Sequence, residues 1–171
     1  HVDKEKLFFV IWTTTIWTLP GNLAIAMHPD EQYALVKASN GEIYIMAEPL
    51  VNRVMGIGGF DSYEILESHP GSFYENMLAR HPFLDKSSRL LLADYVTMES
   101  GTGCVHTAPG FGADDYMTCM RYGMEMVVPV DDQGRHTDYA GKYAGMETEE
   151  SNPVILQDMK ESGMLFASEE I

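Results

Sequence analysis

The protein has 171 residues, 26 of them acidic and 11 basic, so its formal charge at pH 7 is −15. Its 45% hydrophobic content is that of a folded chain, and no apolar run approaches the roughly 20 residues that cross a bilayer, which excludes a membrane helix. Because so acidic a surface repels phosphate, the composition disfavours a free-standing nucleic-acid-binding protein.

Short strands dominate the predicted elements. An aromatic and β-branched run predicts the first strand, and the breaker Pro20-Gly21-Asn22 separates it from the second. Asn40-Gly41 is a strong hairpin signal and joins the third strand to the fourth. In chain order, the predicted strands are residues 6–15, 23–27, 33–38, 42–46, 63–67, 89–93, 95–98, 103–107 and 126–130.

Three short helices are predicted among and after these strands. The first covers residues 49–55, the second 114–122 and the third 152–162. Gly123 and Gly163 directly follow the second and third helices, as is typical of helix ends.

Many short strands with few, irregularly placed helices predict one α+β domain over residues 1–171, built as a small β-barrel or a strongly curved mixed sheet with a few peripheral short helices. The helices are too few for a doubly wound parallel sheet. Because the chain opens with His1 rather than Met, we expect a fragment of a longer polypeptide. Two cysteines are no disulfide framework, so we expect a cytoplasmic protein. The expected oligomeric state is a monomer.

Four threonines, at positions 13, 14, 15 and 18, form the first polar cluster. Their hydroxyls, at the end of a predicted strand, offer donors and acceptors to a ligand. The pattern by itself favours threonines that pair across a sheet, since threonine is a good strand residue. Trp12 and Trp17 flank the cluster and are more typical of a core than of a ligand platform.

Residues 101–115 form the second cluster, with a glycine turn, a strand that ends at His106-Thr107, a loop and two aspartates that open a helix. His106 and the aspartates then face one cleft. A histidine can donate, accept or form a pocket wall, and a carboxylate can anchor an ammonium group. We assign helix capping to Asp114 and ligand binding to Asp115. A satisfied core histidine remains an equal interpretation of His106.

Other motifs are weak. The chain has neither a complete dinucleotide-binding fingerprint nor a phosphate loop. Cys104, His106 and Cys119 lack the close cysteine pairing of structural zinc sites, so we expect no metal. The histidines at 28, 69 and 81 each precede proline and are interpreted as turn residues.

The runs WTTTIWTLPGNLAIAMHPD (12–30) and GTGCVHTAPGFGADDY (101–116) resemble the editing domain of isoleucyl-tRNA synthetases. That domain is the connective-peptide insertion in the Rossmann catalytic domain of these class I enzymes. The resemblance covers most of the chain, including ARHPF at 79–83. Valyl and leucyl relatives typically carry a TTRP-type first motif and lack the His-Thr-Ala-Pro-Gly run. Ile16 and Phe111 depart from the family, which usually has Pro and His there.

The resemblance implies an aminoacyl-tRNA deacylase, an editing hydrolase of an isoleucine–tRNA ligase that binds ATP elsewhere. Its expected substrate is the ester of valyl-tRNA(Ile), with valyl-adenylate as a second candidate. Valine lacks one methylene of isoleucine, which a synthetic pocket discriminates poorly, whereas an editing pocket excludes isoleucine by overlap. The implied partners are the 3′ end of tRNA(Ile) carrying valine and the rest of the synthetase, and no cofactor is implied.

The resemblance also implies the site. Asp115 holds the substrate α-ammonium, His106 lines the amino-acid pocket, and the threonines bind the terminal ribose and the ester. The implied substrate-binding residues are Thr13, Thr14, Thr15, Trp17, His106 and Asp115, of which Thr15, His106 and Asp115 are catalytic. Three alternatives stay open: a recognition module without catalysis, an editing domain of a valyl or leucyl relative, and a structural domain.

Overall fold

The computed structural model describes residues 6–168, in which the strands form two four-stranded sheets. The strands are β1 (Leu7–Phe9), β2 (Ala24–Met27), β3 (Gln32–Ala38), β4 (Ile43–Ala47), β5 (Tyr63–Pro70), β6 (Leu78–Arg80), β7 (Ser87–Leu92) and β8 (Cys104–Thr107). The α-helices are α1 (Val51–Ile57), α2 (Ala113–Arg121) and α3 (Thr148–Ser162). Short 3₁₀ helices cover Ile16–Gly21, Glu48–Leu50, Gly71–Tyr74 and Asp138–Tyr143.

The first sheet has the strand order β1-β4-β3-β5. The predicted hairpin between β3 and β4 is confirmed, and Gly41 in its turn has a φ of 86°, which a glycine adopts without strain. β1 runs parallel to β4, and β5 runs antiparallel to β3. Helix α1 follows the hairpin, and its Val54 and Met55 are buried in the main apolar cluster with both central strands.

The second sheet has the order β6-β7-β2-β8 and carries the sequence motifs. β2 is buried along its whole length, parallel to β7 and antiparallel to β8. In this register Ile25 lies opposite His106. The 3₁₀ helix Ile16–Gly21 leads into β2, and its Leu19 packs in a separate apolar cluster with Tyr143 and with Ile155 of α3.

The predicted α+β class, with mixed sheets and few short helices, is confirmed. The small β-barrel is not confirmed, because each sheet keeps two edge strands, β1 and β5 in the first and β6 and β8 in the second. The prediction of one domain over 1–171 extends outside the described residues 6–168 and stays a prediction. None of the helices in the described part is long and apolar enough to span a bilayer.

The predicted strand over residues 6–15 is wrong beyond Phe9. Trp12 forms a single bridge with Val105, and a turn follows in which Thr13 Oγ1 accepts a hydrogen bond of 3.0 Å from Thr15 N–H. Hydroxyl groups that bond their own backbone compete with a sheet ladder, so the threonines leave the strand. They therefore do not pair across a sheet as the pattern favoured.

Two other predicted strands are wrong. Residues 95–98 lie in a turn and its continuation, and in 126–130 only Val130 makes a bridge, to His136. Pro129 interrupts the second run and, together with Val127, packs against Gly110 rather than in a sheet. The short edge strand β6 was not predicted.

The three predicted helices are confirmed with shifted ends. α3 begins at Thr148, four residues before the predicted start, and Gly163 ends it in the left-handed conformation with φ 76°. Asp114 does not cap α2, because Gly112 occupies the N-cap position and both aspartates lie in the first turn. There their charge interacts favourably with the positive end of the helix dipole.

We predict that Gly103→Ala lowers the free energy of unfolding by about 2–4 kcal/mol. Gly103 has a φ of 79°, and an added Cβ would lie 2.5 Å from the Ala47 Cβ. Gly41→Ala is the matched control, because its φ is 86° but nothing lies within 4 Å of the added Cβ. That variant is expected to lose only about 1 kcal/mol in urea unfolding. Equal losses in the two variants would contradict the packing contribution.

Candidate functional site

His106 lies on β8 with its ring against the 3₁₀ helix Ile16–Gly21. Its Nε2 lies 2.9 Å from Thr18 Oγ1, and its Nδ1 lies 2.7 Å from Asn22 Nδ2. Ser88 in turn donates a hydrogen bond to the Asn22 side-chain oxygen. Both ring nitrogens of His106 are therefore bonded within the protein, to side chains at the end of one short helix.

The neighbouring carbonyl groups show which atom is the donor in each hydrogen bond of this network. The Ala24 carbonyl, which only accepts, lies 2.9 Å from Asn22 Nδ2, so this atom is the amide nitrogen and donates to His106 Nδ1 as well. The proton of the ring then lies on Nε2 and is donated to Thr18 Oγ1. The Thr18 hydroxyl in turn donates a hydrogen bond of 2.7 Å to the Thr15 carbonyl. One tautomer of a neutral imidazole satisfies every partner.

Burial also keeps the imidazole neutral. It lowers the pKa of His106 to about 4, and the nearby His81 and Lys86 contribute to the lowering. At neutral pH the ring is uncharged, and neither nitrogen is available to take a proton from water without loss of a hydrogen bond. His106 is thus a neutral ring in a fixed orientation, not a free general base.

The predicted threonines form a tight turn that is linked to the His106 ring through Thr18. Thr15 O accepts from both the backbone N–H and the hydroxyl of Thr18, while Thr13 binds Thr15 N–H. The Thr14 side chain is exposed, and Thr15 is half-buried. The turn is therefore fixed by its backbone, with side chains left at its surface.

Asp115 lies in the first turn of α2 and folds back onto the end of β8. Its Oδ2 accepts a hydrogen bond of 2.9 Å from Ala108 N–H, which uses one of its two carboxylate oxygens. Burial and the neighbouring Asp114 raise the pKa of Asp115, whereas the bond from Ala108 opposes this shift. A cationic ligand would offset the cost of burying this charge.

A cleft of about 270 Å³ opens next to the threonine turn. Its volume lies just below the range of roughly 300–1,000 Å³ that is typical of ligand pockets. Its lining residues are Trp12, Thr13, Thr14, Tyr95, Val96, Thr97, Ser100, Gly103 and Val105. A second cavity of about 430 Å³, lined by Pro29, Leu92, Ala93, Asp94, Arg121 and Tyr122, contains none of the predicted site residues.

The structure brings the predicted residues together only in part. Thr13 and Thr14 line the cleft, and Thr15 is joined to His106 through Thr18. His106 itself does not line the cleft, because neighbouring side chains of a strand point to opposite faces and its neighbour Val105 faces the cleft. The His106 ring and the cleft therefore lie on opposite faces of β8.

Asp115 and Trp17 also lie outside the lining of the cleft. Asp115 is near enough to Tyr95, which does line it, to raise the pKa of that phenol together with the larger effect of burial. Trp17 packs edge-on against Phe111 with ring centroids 5.1 Å apart. Trp17 therefore packs against the loop that precedes α2.

Sequence reasoning missed several residues of the site. The sequence pattern indicates only a turn breaker at Asn22, whereas the burial of its side chain, which makes its two N–H donors require partners, is decided by the fold. His81 does lie in the turn between β6 and β7, but it is also buried, and its Nε2 lies 2.8 Å from the Leu19 carbonyl. Ser88 and Lys86 carried no sequence signal, because their partners are 66 residues away.

Metal ligands do not cluster in residues 6–168, where no group of three or more histidine, cysteine, aspartate or glutamate side chains could hold an ion. Cys104 and Cys119 are buried free thiols in separate apolar clusters. That the function needs neither a metal nor a cofactor stays a prediction.

The family model for the leucyl-tRNA synthetase editing domain matches residues 4–170. Isoleucine–tRNA ligases are similar to the chain over nearly its whole length. The protein of Petrotoga mobilis is 49% identical over 170 residues, 99% of this chain, and that of Desulfotalea psychrophila is 52% identical over 167 residues, 98% of this chain. The chain spans 18% of the length of each of these relatives.

Solved structures show the same fold. The crystal structure of GlLeuRS-CP1 superposes with a TM-score of 0.76 at 16% identity, over 99% of this chain and 87% of that chain. The editing domain of the P. knowlesi cytosolic leucyl-tRNA synthetase gives 0.67 at 13% identity, over 91% and 83%. Together with the sequence relatives, these matches show that the chain belongs to the editing-domain family of aminoacyl-tRNA synthetases, as the editing domain of an isoleucine–tRNA ligase.

Proposed function

We propose that this domain performs post-transfer editing: it hydrolyses the ester of valyl-tRNA(Ile) and excludes isoleucine sterically. The observation that carries the proposal is the hydrogen-bonded chain from Asn22 through His106 and Thr18 to Thr15. It fixes a neutral, immobile ring beside a polar turn, which is what a size-selective pocket next to a reacting ester needs. The family membership of the chain supports the same function.

The terminal adenosine of the tRNA is proposed to occupy the cleft. The exposed Thr14 and the half-buried Thr13 bind its ribose, while Trp12 and Tyr95 offer partly exposed aromatic faces. Bases stack on such faces with about 1–3 kcal/mol each. The aminoacyl ester then extends past Thr15 toward the other side of β8.

Asp115 holds the α-ammonium group of the bound amino acid. Its carboxylate is half-buried at the start of α2, and a cation restores the charge balance that burial disfavours. His106 forms the wall of the side-chain pocket. Because both its nitrogens are bonded, the ring cannot rotate away, and the extra methylene of isoleucine overlaps with it.

The attacking water needs no dedicated base from this chain. His106 is neutral with both nitrogens engaged, and Asp115 is committed to Ala108 and to the ammonium group. The hydroxyls of the threonine turn order the water, and the neighbouring ribose hydroxyl of the substrate assists its deprotonation. An aminoacyl ester is already activated, so positioning and oxyanion stabilisation supply most of the acceleration.

The charge of −15 assigns the tRNA body to other parts of the synthetase. Nucleic-acid affinity depends on lysine and arginine contacts with phosphate, and this chain has 11 such residues against 26 acidic ones. The domain is proposed to receive only the 3′ end.

The proposal is tested by hydrolysis of valyl-tRNA(Ile) and isoleucyl-tRNA(Ile) by the full-length synthetase. We expect faster loss of the valyl ester, and equal rates would contradict the size selection. A second candidate function, recognition without catalysis, is favoured by Phe111, which packs on Trp17 where the family usually has His. Binding of a non-hydrolysable valyl-adenosine analogue without any ester hydrolysis would support that alternative.

Asp115→Asn is expected to weaken binding of the valyl-adenosine analogue by about 2–5 kcal/mol, because it removes the charge that pairs with the ammonium group. The amide oxygen still accepts from Ala108, so the fold is retained. Asp114→Asn is the matched control, since this exposed neighbour lies in the same turn of α2. The affinity of each variant for the analogue is measured by calorimetric titration. Equal affinities of Asp115→Asn and Asp114→Asn would refute the role of Asp115 as the ammonium anchor.

His106→Ala is expected to raise hydrolysis of isoleucyl-tRNA(Ile) relative to valyl-tRNA(Ile) by about tenfold or more, because the wall that overlaps with the extra methylene is removed. His69→Ala, on β5 and stacked on Phe73, is the control for loss of a histidine outside the site. The measured quantity is the ratio of the two deacylation rates. An unchanged ratio in His106→Ala would assign the exclusion of isoleucine to another residue.

A further inference from the structure

Two side chains from the connection between β6 and β7 bind the 3₁₀ helix Ile16–Gly21. His81 Nε2 lies 2.8 Å from the Leu19 carbonyl, and Lys86 Nζ lies 2.6 Å from the Pro20 carbonyl. These are consecutive carbonyls at the end of the helix. Neither contact takes part in the editing chemistry described above.

His81 is held in one orientation. Its Nδ1 accepts the backbone N–H groups of Phe83 and Leu84 at 3.2 and 3.1 Å, so the proton lies on Nε2 and is donated to Leu19. The side chain is only 2% exposed, and burial lowers its pKa to about 4. The ring is therefore a neutral, fixed donor.

Lys86 is a half-buried cation. Its ammonium group lies 4.1 Å from the centroid of the Tyr139 ring while it donates to the Pro20 carbonyl. The connection itself is closed by a bond of 2.9 Å from His81 N–H to the Lys86 carbonyl. The two donors thus belong to one rigid loop.

The carbonyls that they bind lie between the two residues that hold His106. Thr18 precedes Leu19, and Asn22 follows Pro20 by two positions. Because Thr18 and Asn22 bond opposite nitrogens of one ring, the His106 orientation depends on the path of the helix between them. A shift of that backbone would open one of the two bonds.

We propose that His81 and Lys86 are positioning residues for editing: they fix the backbone of Leu19 and Pro20 and so hold Thr18, Asn22 and the His106 wall in place. The inference rests on the proposed editing function for its kinetic consequence. Its structural consequence, the geometry around His106, is independent of that function.

Because Lys86 is charged, its hydrogen bond to the Pro20 carbonyl is sensitive to alkaline pH. Burial lowers the pKa of Lys86 to about 8. The titratable groups placed against it stay uncharged in this range, because burial raises the pKa of Tyr139 and lowers those of His81 and His106 to about 4. The ammonium is present below pH 8, and its charge-assisted bond to Pro20 is lost as the pH rises above that value.

The test is deacylation of valyl-tRNA(Ile) by the full-length synthetase between pH 6.5 and 9.5, after subtraction of spontaneous hydrolysis. Lys86→Met keeps the stem but removes the donor. We expect it to lower kcat about tenfold to hundredfold with little change in KM, and to abolish the decline in activity around pH 8. Lys86→Arg, whose guanidinium stays charged, is expected to restore most of kcat and to move the alkaline decline beyond the measured range.

Lys142→Met is the matched control. Lys142 Nζ also donates to an oxygen, Asp158 Oδ2 at 2.7 Å, and lies 5.3 Å from the Tyr143 ring centroid, but its side chain is 60% exposed. It is expected to keep wild-type kcat. A wild-type kcat in Lys86→Met, or a decline around pH 8 that persists in Lys86→Arg, would overturn the inference.

A crystal structure of full-length Lys86→Met separates this inference from the editing proposal. We expect the Thr18 Oγ1 to His106 Nε2 distance to exceed hydrogen-bond range, whereas an unchanged distance of 2.9 Å would overturn the positioning role. If the wild-type enzyme hydrolyses no valyl-tRNA(Ile), the editing proposal fails, and this distance still decides the role of Lys86. His81→Phe, which keeps a ring but removes the donor, is expected to open the same bond, and His81→Gln to preserve it.

Discussion

The hydrogen bonds from Thr18 and Asn22 to the His106 ring join parts of the chain that are 88 and 84 residues apart. A neutral imidazole has one donor and one acceptor, and here each has one partner of the opposite kind. The rest of the site is arranged around this pair: β8 supplies the ring, the 3₁₀ helix supplies its partners, and the threonine turn lies at the end of the network. A ring held in this way has a fixed orientation, which the proposed exclusion of isoleucine requires.

A buried polar network is stable only when each member is satisfied, since an unpaired buried group costs about 1–3 kcal/mol. The carbonyls of Leu19 and Pro20 are bonded by His81 and Lys86, and the Asn22 amide is bonded by Ser88. The apolar cluster around Leu19 and Tyr143 packs against the same helix and includes Phe83 and Leu84 from the connection that carries His81 and Lys86. The hydrogen-bond network of His106 is therefore supported by side chains outside the two sequence motifs.

Elements whose signals are local could be predicted from the sequence. The Asn40-Gly41 turn needs only its own residues to form, and Gly163 ends α3 by its own conformational freedom. The strand expected over 6–15 failed because its β-branched residues fit two structures equally well. Thr13 bonds the backbone of Thr15 instead of a neighbouring strand, and no local pattern decides between these outcomes.

The α+β class, the two motifs with their candidate residues and the family resemblance could all be predicted before the structure, because they depend on residue type and spacing along the chain. Contacts made in the tertiary structure settle that both nitrogens of His106 are bonded, that Asp115 accepts a hydrogen bond from Ala108 N–H, and that the cleft and the histidine lie on opposite faces of β8. Most of these features depend on groups that are far apart in the sequence. Protonation, tautomer and accessibility are set by groups that folding brings together from remote parts of the chain, and sequence spacing carries no record of them.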